Sequence, residues 1–213
     1  MKKLNHINRK TVIIGMVILI IIVTLAAVYV LYQQSPDETT DTTAIFDFDS
    51  GFPELDNNQA TPFNQTSNGI TAYFSSTSDP EAFTVTSDHK TTLNLSTFSG
   101  KYLYDNNGVR NVLEIKFSTN LFAINVTFAT AEPDEGPPVE PSDILMIAYQ
   151  DTTLVGTANA YGDFSGDSYP EGTMALKTGL PFNWIRIAMS EESPANDFLL
   201  DNIRVTANIP SPK

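Results

Sequence analysis

The sequence predicts an all-β fold: a two-sheet antiparallel β-sandwich of the jelly-roll type, preceded by one N-terminal transmembrane helix. Three features lead there. Residues 11–32 run for 22 positions without a charge or a proline. Residues 44–207 break into short alternating runs punctuated by Asn, Gly, Asp and Pro. No stretch of that second part holds a helical period long enough to form a helix.

Residues 1–10 read as a basic cytoplasmic tail carrying Lys2, Lys3, Arg9 and Lys10. The apolar run that follows reaches roughly 30 Å as a helix, the thickness of a bilayer's hydrocarbon core. The first charges beyond it are Asp37, Glu38 and Asp41, so the positive side marks the inside and the body is expected outside, at the cell membrane. A cleaved signal peptide is the rival reading. Its apolar region is normally shorter and ends in a small-x-small site, whereas Ala26-Ala27 is followed by Val28, Tyr29, Val30, Leu31 and Tyr32. An uncleaved signal anchor over 11–32 is therefore expected.

Residues 33–43 read as a flexible polar stalk. The domain proper is expected over 44–207, with 208–213 a tail. Strands are predicted over 45–49, 69–75, 82–87, 101–104, 111–118, 121–130, 143–151, 153–160, 172–178, 182–190 and 197–206. In the strand over 111–118, Leu113, Ile115 and Phe117 point one way and Glu114 and Lys116 the other. A tight link at Thr119-Asn120 then leads to Phe122, Ile124, Val126 and Phe128, all facing inward. Residues 131–142 hold four prolines and four acids and read as a loop. Many short strands without helix or repeat argue for two packed sheets.

Charge narrows the function classes. All 25 acidic residues follow the helix, against eight basic ones, which leaves the body at −17. Such a field repels nucleic acid and anionic lipid, so no nucleic-acid partner is expected. With no cysteine in the chain, the domain must rely on its hydrophobic core, and thiol chemistry is absent. The sequons at Asn64, Asn94 and Asn125 permit glycosylation, although the triplet arises readily in a chain rich in Asn and Thr.

The two ends of the domain belong together. It opens with Ile45-Phe46-Asp47-Phe48-Asp49-Ser50-Gly51 and closes with Phe198-Leu199-Leu200-Asp201-Asn202-Ile203-Arg204-Val205. Between them lie Gly100-Lys101-Tyr102-Leu103-Tyr104, Val126-Thr127-Phe128 and Pro181-Phe182-Asn183-Trp184-Ile185-Arg186-Ile187. This pattern resembles exported jelly-roll domains, namely galactose-binding-like carbohydrate-binding modules and MAM-type adhesion domains. The resemblance implies that the first and last strands lie side by side, and that an acid from each holds a structural calcium ion. Carried onto this chain, the candidate ligands are Asp49 (or Asp47) and Asp201. Calcium takes several oxygen ligands, and a carboxylate buried beside Leu199, Ile203 and Val205 needs a partner. The alternative is that Asp201 caps a loop through backbone N–H groups.

Residues 161–171 space their acids like a calcium loop but, counted from Asp163, lack the sixth-position glycine and the twelfth-position glutamate of an EF-hand. The aromatics there point elsewhere. Tyr161, Phe164 and Tyr169, with Trp184 and Arg186 alternating outward on a strand, suit sugar recognition: rings stack on C–H faces while polar groups fix hydroxyls. Ordinary packing of Trp184 is the competing reading. Catalysis is not expected, because His6 and His89 are the only histidines and no G-x-S-x-G elbow occurs. Two function classes remain: a surface-displayed module binding carbohydrate or another envelope polymer, and a structural or adhesive envelope protein making protein–protein contacts.

Overall fold

Strand order is what positions the site. A computed structural model describes residues 22–24, 39–88, 94–105, 109–131, 142–163 and 169–210. Of the expected membrane helix only residues 22–24 are described, and they are helical; the rest of 11–32 lies outside the described residues. Among the described residues no helix is long and apolar enough to cross a membrane. Thr40–Ile209 make up one compact unit.

The strands are β1 (Thr39–Phe46), β2 (Gln59–Ala60), β3 (Phe63–Ser67), β4 (Ile70–Ser76), β5 (Phe83–Thr86), β6 (Tyr102–Asp105), β7 (Leu113–Ala131), β8 (Asp143–Gln150), β9 (Thr153–Tyr161), β10 (Glu171–Met189) and β11 (Asp197–Pro210). One antiparallel sandwich results, with two layers that share their longest strands. The first layer runs β2-β5-β6-β11-β7-β10 and the second β3-β4-β7-β10-β8-β9. The second half of β7 pairs with β11 and the first half of β10. Its first half pairs with β4 and the second half of β10. β1 pairs with β11, so the first and last strands are neighbours as the resemblance implies.

β7 passes from one layer to the other by changing the face it buries. Leu113, Ile115 and Phe117 are buried at odd positions, and Ile124, Val126 and Phe128 at even ones. Sequence alternation reads that reset as a turn at Thr119-Asn120, whereas the backbone continues as one 19-residue strand. Leu121 fills the core at the crossing, while Phe122 is only half-buried. β10 behaves likewise: the break expected over 179–181 is a pair of register shifts between Lys177 and Trp184 within another 19-residue strand. β1 takes in residues 39–43, which the sequence assigns to the stalk, because a threonine-rich run suits a strand.

Between the layers lies an aromatic core. Phe63 stacks on Phe74 at 4.8 Å, and Phe48 meets Phe74 edge-on at 5.6 Å. A second, smaller cluster of Leu95, Phe98, Tyr102, Ala129, Tyr169 and Leu199 lies apart from it, where residues 94–101 cover the far side of the first layer.

Candidate functional site

Cross-strand pairing builds a row of large side chains across the outer face of the second layer. Tyr73 pairs with Lys116, Lys116 with Trp184, Trp184 with Tyr149, and Tyr149 with Leu154. Their sequence neighbours Phe74, Ile115, Ile185 and Ala148 fill the core, so period-2 alternation turns the row outward. Tyr73 and Leu154 are exposed, and Tyr149 and Trp184 half-buried. At about 4.8 Å per strand the row spans roughly 19 Å.

Trp184 is its centre. Its ring stacks on Tyr149 at 4.6 Å and 28°. From the neighbouring strand the Lys116 ammonium stands 5.7 Å from the ring centroid, and from the same strand as Trp184 the Arg186 guanidinium stands 5.9 Å away. Arg186 is held by Glu114, Nε to Oε1 at 3.2 Å. The indole Nε1–H is buried without a hydrogen-bond partner, a state that costs free energy until an acceptor is supplied.

Beside the ring opens a cleft of about 440 Å³ lined by Lys116, Phe117, Asp151, Thr152, Asn183 and Trp184. The turn after β8 forms its far wall. Asn183 holds that turn twice, accepting the Asp151 N–H at 3.0 Å and donating to Asp151 Oδ1 at 2.9 Å. The cleft therefore joins an aromatic wall to a carboxylate, an amide, a hydroxyl and an ammonium. That combination suits a polyhydroxylated ligand.

The acids expected at the strand ends also come together, and each already carries protein donors. Asp47 Oδ1 accepts the N–H of Asp49 at 3.2 Å and of Ser50 at 2.8 Å. Asp49 takes the Lys101 N–H at 3.0 and 3.1 Å. Asp201 takes the Ser99 N–H at 3.0 Å and the Asn202 N–H at 2.6 Å. Burial pushes Asp201 up to about 6, its two N–H donors oppose this, and the nearby Asp49 and Asp47 charges add to it. No group of three acids or histidines among the described residues is arranged to hold a metal ion.

Asp201 does not share a face with Ile203 and Val205 as strict alternation predicts. Asn202 adopts φ 49°, and the register shifts between Asp201 and Arg204. The bulge leaves Leu199 in the smaller cluster and Asp201 against Ser99, while Ile203 and Val205 enter the main core.

A fourth acid, which the sequence offers only as the end of the 161–171 loop, completes this arrangement. Glu171 accepts the N–H groups of Ser96 at 2.6 Å and Thr97 at 2.7 Å, together with both hydroxyls. Burial raises its pKa, but these four bonds outweigh that and leave it lowered. Three carboxylates thus hold the backbone of a segment that joins no sheet.

The remaining sequence candidates disperse. Tyr161 is exposed at the end of β9 remote from Leu154. Tyr169 is buried in the smaller cluster, so its ring is packed rather than presented. Phe164 and His89 lie outside the described residues. Asn64, Asn94 and Asn125 are all exposed. Tyr73, Tyr149, Asp151 and Asn183 were missed; only the strand register brings them to Trp184, and alternation alone does not supply it.

No protein-family model matches the chain, and no curated protein matches it. Among solved structures it is similar to the K2 cleaved adhesin domain of Lys-gingipain, with 17% identity, 79% of this chain and 100% of that one covered, and a TM-score of 0.45. It is also similar to a family 29 carbohydrate-binding module, with 12% identity, coverage of 78% and 89%, and a TM-score of 0.36. A third likeness, to the catalytic domain of a GH87 α-1,3-glucanase, covers 53% of this chain and 23% of that one, with 12% identity and a TM-score of 0.32. All three are distant, and the functional reading rests on the geometry above.

Proposed function

We propose that this chain is a membrane-anchored recognition module that binds carbohydrate, or another hydroxyl-rich envelope polymer, across the outer face of the second layer. The observation that carries this reading is the row Tyr73–Lys116–Trp184–Tyr149–Leu154 running beside a polar-lined cleft. A sugar ring laid against the indole displaces the flexible Lys116 ammonium from one face, and Asp151, Thr152 and Asn183 bond its hydroxyls. The anchor part of the proposal rests on the uncharged run 11–32 and its flanking charges. The test is binding of the full chain, in a sugar-free detergent, to neutral hexasaccharides of mannose, glucose and galactose. Trp184→Ala is expected to weaken binding at least about tenfold, as loss of a central aromatic contact does. Equal binding by the variant counts against the reading.

Calcium belongs to the same proposal. The oxygen donors of Asp49 (or Asp47) and Asp201 suit a hard cation in kind, and an added positive charge offsets the burial, and the smaller repulsion from the neighbouring carboxylates, that raise Asp201. The ion braces the first and last strands and takes no part in ligand contact.

A second reading, adhesion through protein contacts, is favoured by one feature. β9 lies at the edge of the second layer, and its nine residues carry neither charge nor proline. Charged residues and prolines are common guards against edge-to-edge pairing. Reversible self-association of the full chain, abolished by Thr157→Lys, supports this second reading.

A further inference from the structure

A second cleft, of about 330 Å³, lies on the outer face of the first layer. Its floor comes from two neighbouring rows of the sheet. One row is Arg204–Asn125–Ala175 and the next is Thr206–Ala123–Lys177. Two alanines and an asparagine keep the floor low, and the two cations stand at opposite corners. By strand spacing their Cα atoms are roughly 12 Å apart, so both long side chains reach over one floor.

The charge inventory makes this place unlike the rest of the domain. Six basic side chains are described. Lys101 donates to the Leu55 carbonyl at 2.6 Å. Arg110 caps the carbonyls of Ser190 and Glu191 at 2.8 Å each. Lys116 and Arg186 flank Trp184. Only Lys177 and Arg204 have no partner among the described residues, and they line the same cleft. Of the acids on this face, Glu171 and Asp201 are turned onto the backbone of Ser96, Thr97 and Ser99, and Asp197 is buried at the far end of β11, opposite Ala131. In a body at −17, the two cations thus face an open floor with those acids engaged elsewhere.

We propose that this cleft binds an acidic sugar residue, its carboxylate or sulfate group held between Lys177 and Arg204 and its hydroxyls by Asn125 and Thr206. Charge-assisted bonds of this kind are about twice as strong as neutral ones. The small floor lets a ring approach the sheet. This site is independent of the Trp184 face. It requires an unmodified Asn125, since a glycan on that side chain would fill the cleft.

The probe is an oligogalacturonate titrated into the full chain in a nonionic, sugar-free detergent, with inorganic sulfate and the neutral galactose oligomer as parallel arms. Lys177→Gln and Arg204→Gln are each expected to weaken oligogalacturonate binding roughly tenfold while keeping the wild-type melting temperature. Trp184→Ala is expected to leave it unchanged, which separates this result from the fate of the neutral-glycan reading. The proposal is overturned by unchanged affinity in both glutamine variants, by sulfate binding as tightly as the oligomer, or by mass spectrometry finding Asn125 fully glycosylated in the native protein.

Discussion

Asp201 Oδ2 accepts the Ser99 N–H at 3.0 Å across 102 residues of sequence. Glu171 does the same for Ser96 and Thr97, and Asp49 for Lys101. Residues 94–101 thus lie over the first layer without joining it, the amides of Ser96, Thr97, Ser99 and Lys101 satisfied by carboxylates where a strand would use carbonyls. Buried backbone donors need partners, and here three separate parts of the fold supply them.

For Asp201 this arrangement has a pH signature. Its folded pKa, about 6, lies above the ordinary 3.8. Its contribution to stability is therefore fully present below about 3.8 and lost as pH rises through about 6, a change on the order of 3 kcal/mol. Asp201→Asn keeps an acceptor for Ser99 and removes the charge. In EDTA, urea denaturation is expected to find the variant at least as stable as the wild type at pH 7.5, with that advantage gone by pH 4. Parallel pH profiles for the two proteins would contradict this.

Glu171 has the opposite sign. Its pKa is lowered in the folded state, so its stabilisation is present above the ordinary carboxylate range and lost as pH falls through the folded value. Glu171→Gln is expected to cost about 1–3 kcal/mol at pH 7 and to flatten the acid limb of the stability profile. Amide exchange at Ser96 and Thr97 should accelerate more than exchange in β7.

Gly100 has no room for a side chain. It adopts φ 56°, and a Cβ there would lie 1.9 Å from Asp49 Oδ2. Gly100→Ala must therefore displace the carboxylate that holds Lys101, at an expected cost of about 2 kcal/mol or more. A denaturation midpoint equal to wild type would show that Asp49 is dispensable to this segment.

Calcium is tested by thermal melting of the full chain in EDTA and then in millimolar calcium. A cation that binds only the folded state raises the melting temperature by mass action. The proposal expects a rise that Asp201→Ala abolishes. An unchanged temperature leaves Asp47, Asp49 and Asp201 as hydrogen-bonded caps.

The fold class and most strands were legible in the sequence, because alternation along segments such as 143–150 and 203–207 reports a half-buried sheet directly. Two things were not. A change of buried face inside β7 or β10 looks in sequence like a turn, since both reset the period. Short β2 and β3 escaped because burial of Phe63 and Gln65 leaves a pattern only three alternating positions long. At the site, Trp184 and Arg186 were legible as outward residues. Their partners Tyr149 and Lys116 lie 35 and 68 positions away from Trp184, and only the register identifies them. Tyr169 shows the converse, since a loop aromatic looks free until the cluster that buries it is known.

The most direct test of the Trp184 face uses the fact that this is the chain's only tryptophan, so all indole emission reports on one cleft. A neutral hexasaccharide found to bind by calorimetry is added to saturation, and emission and acrylamide quenching are followed. A blue shift with protection from acrylamide, half-complete at the calorimetric Kd, is the predicted result. Saturation of the binding with emission and quenching unchanged would place the glycan elsewhere and contradict the account.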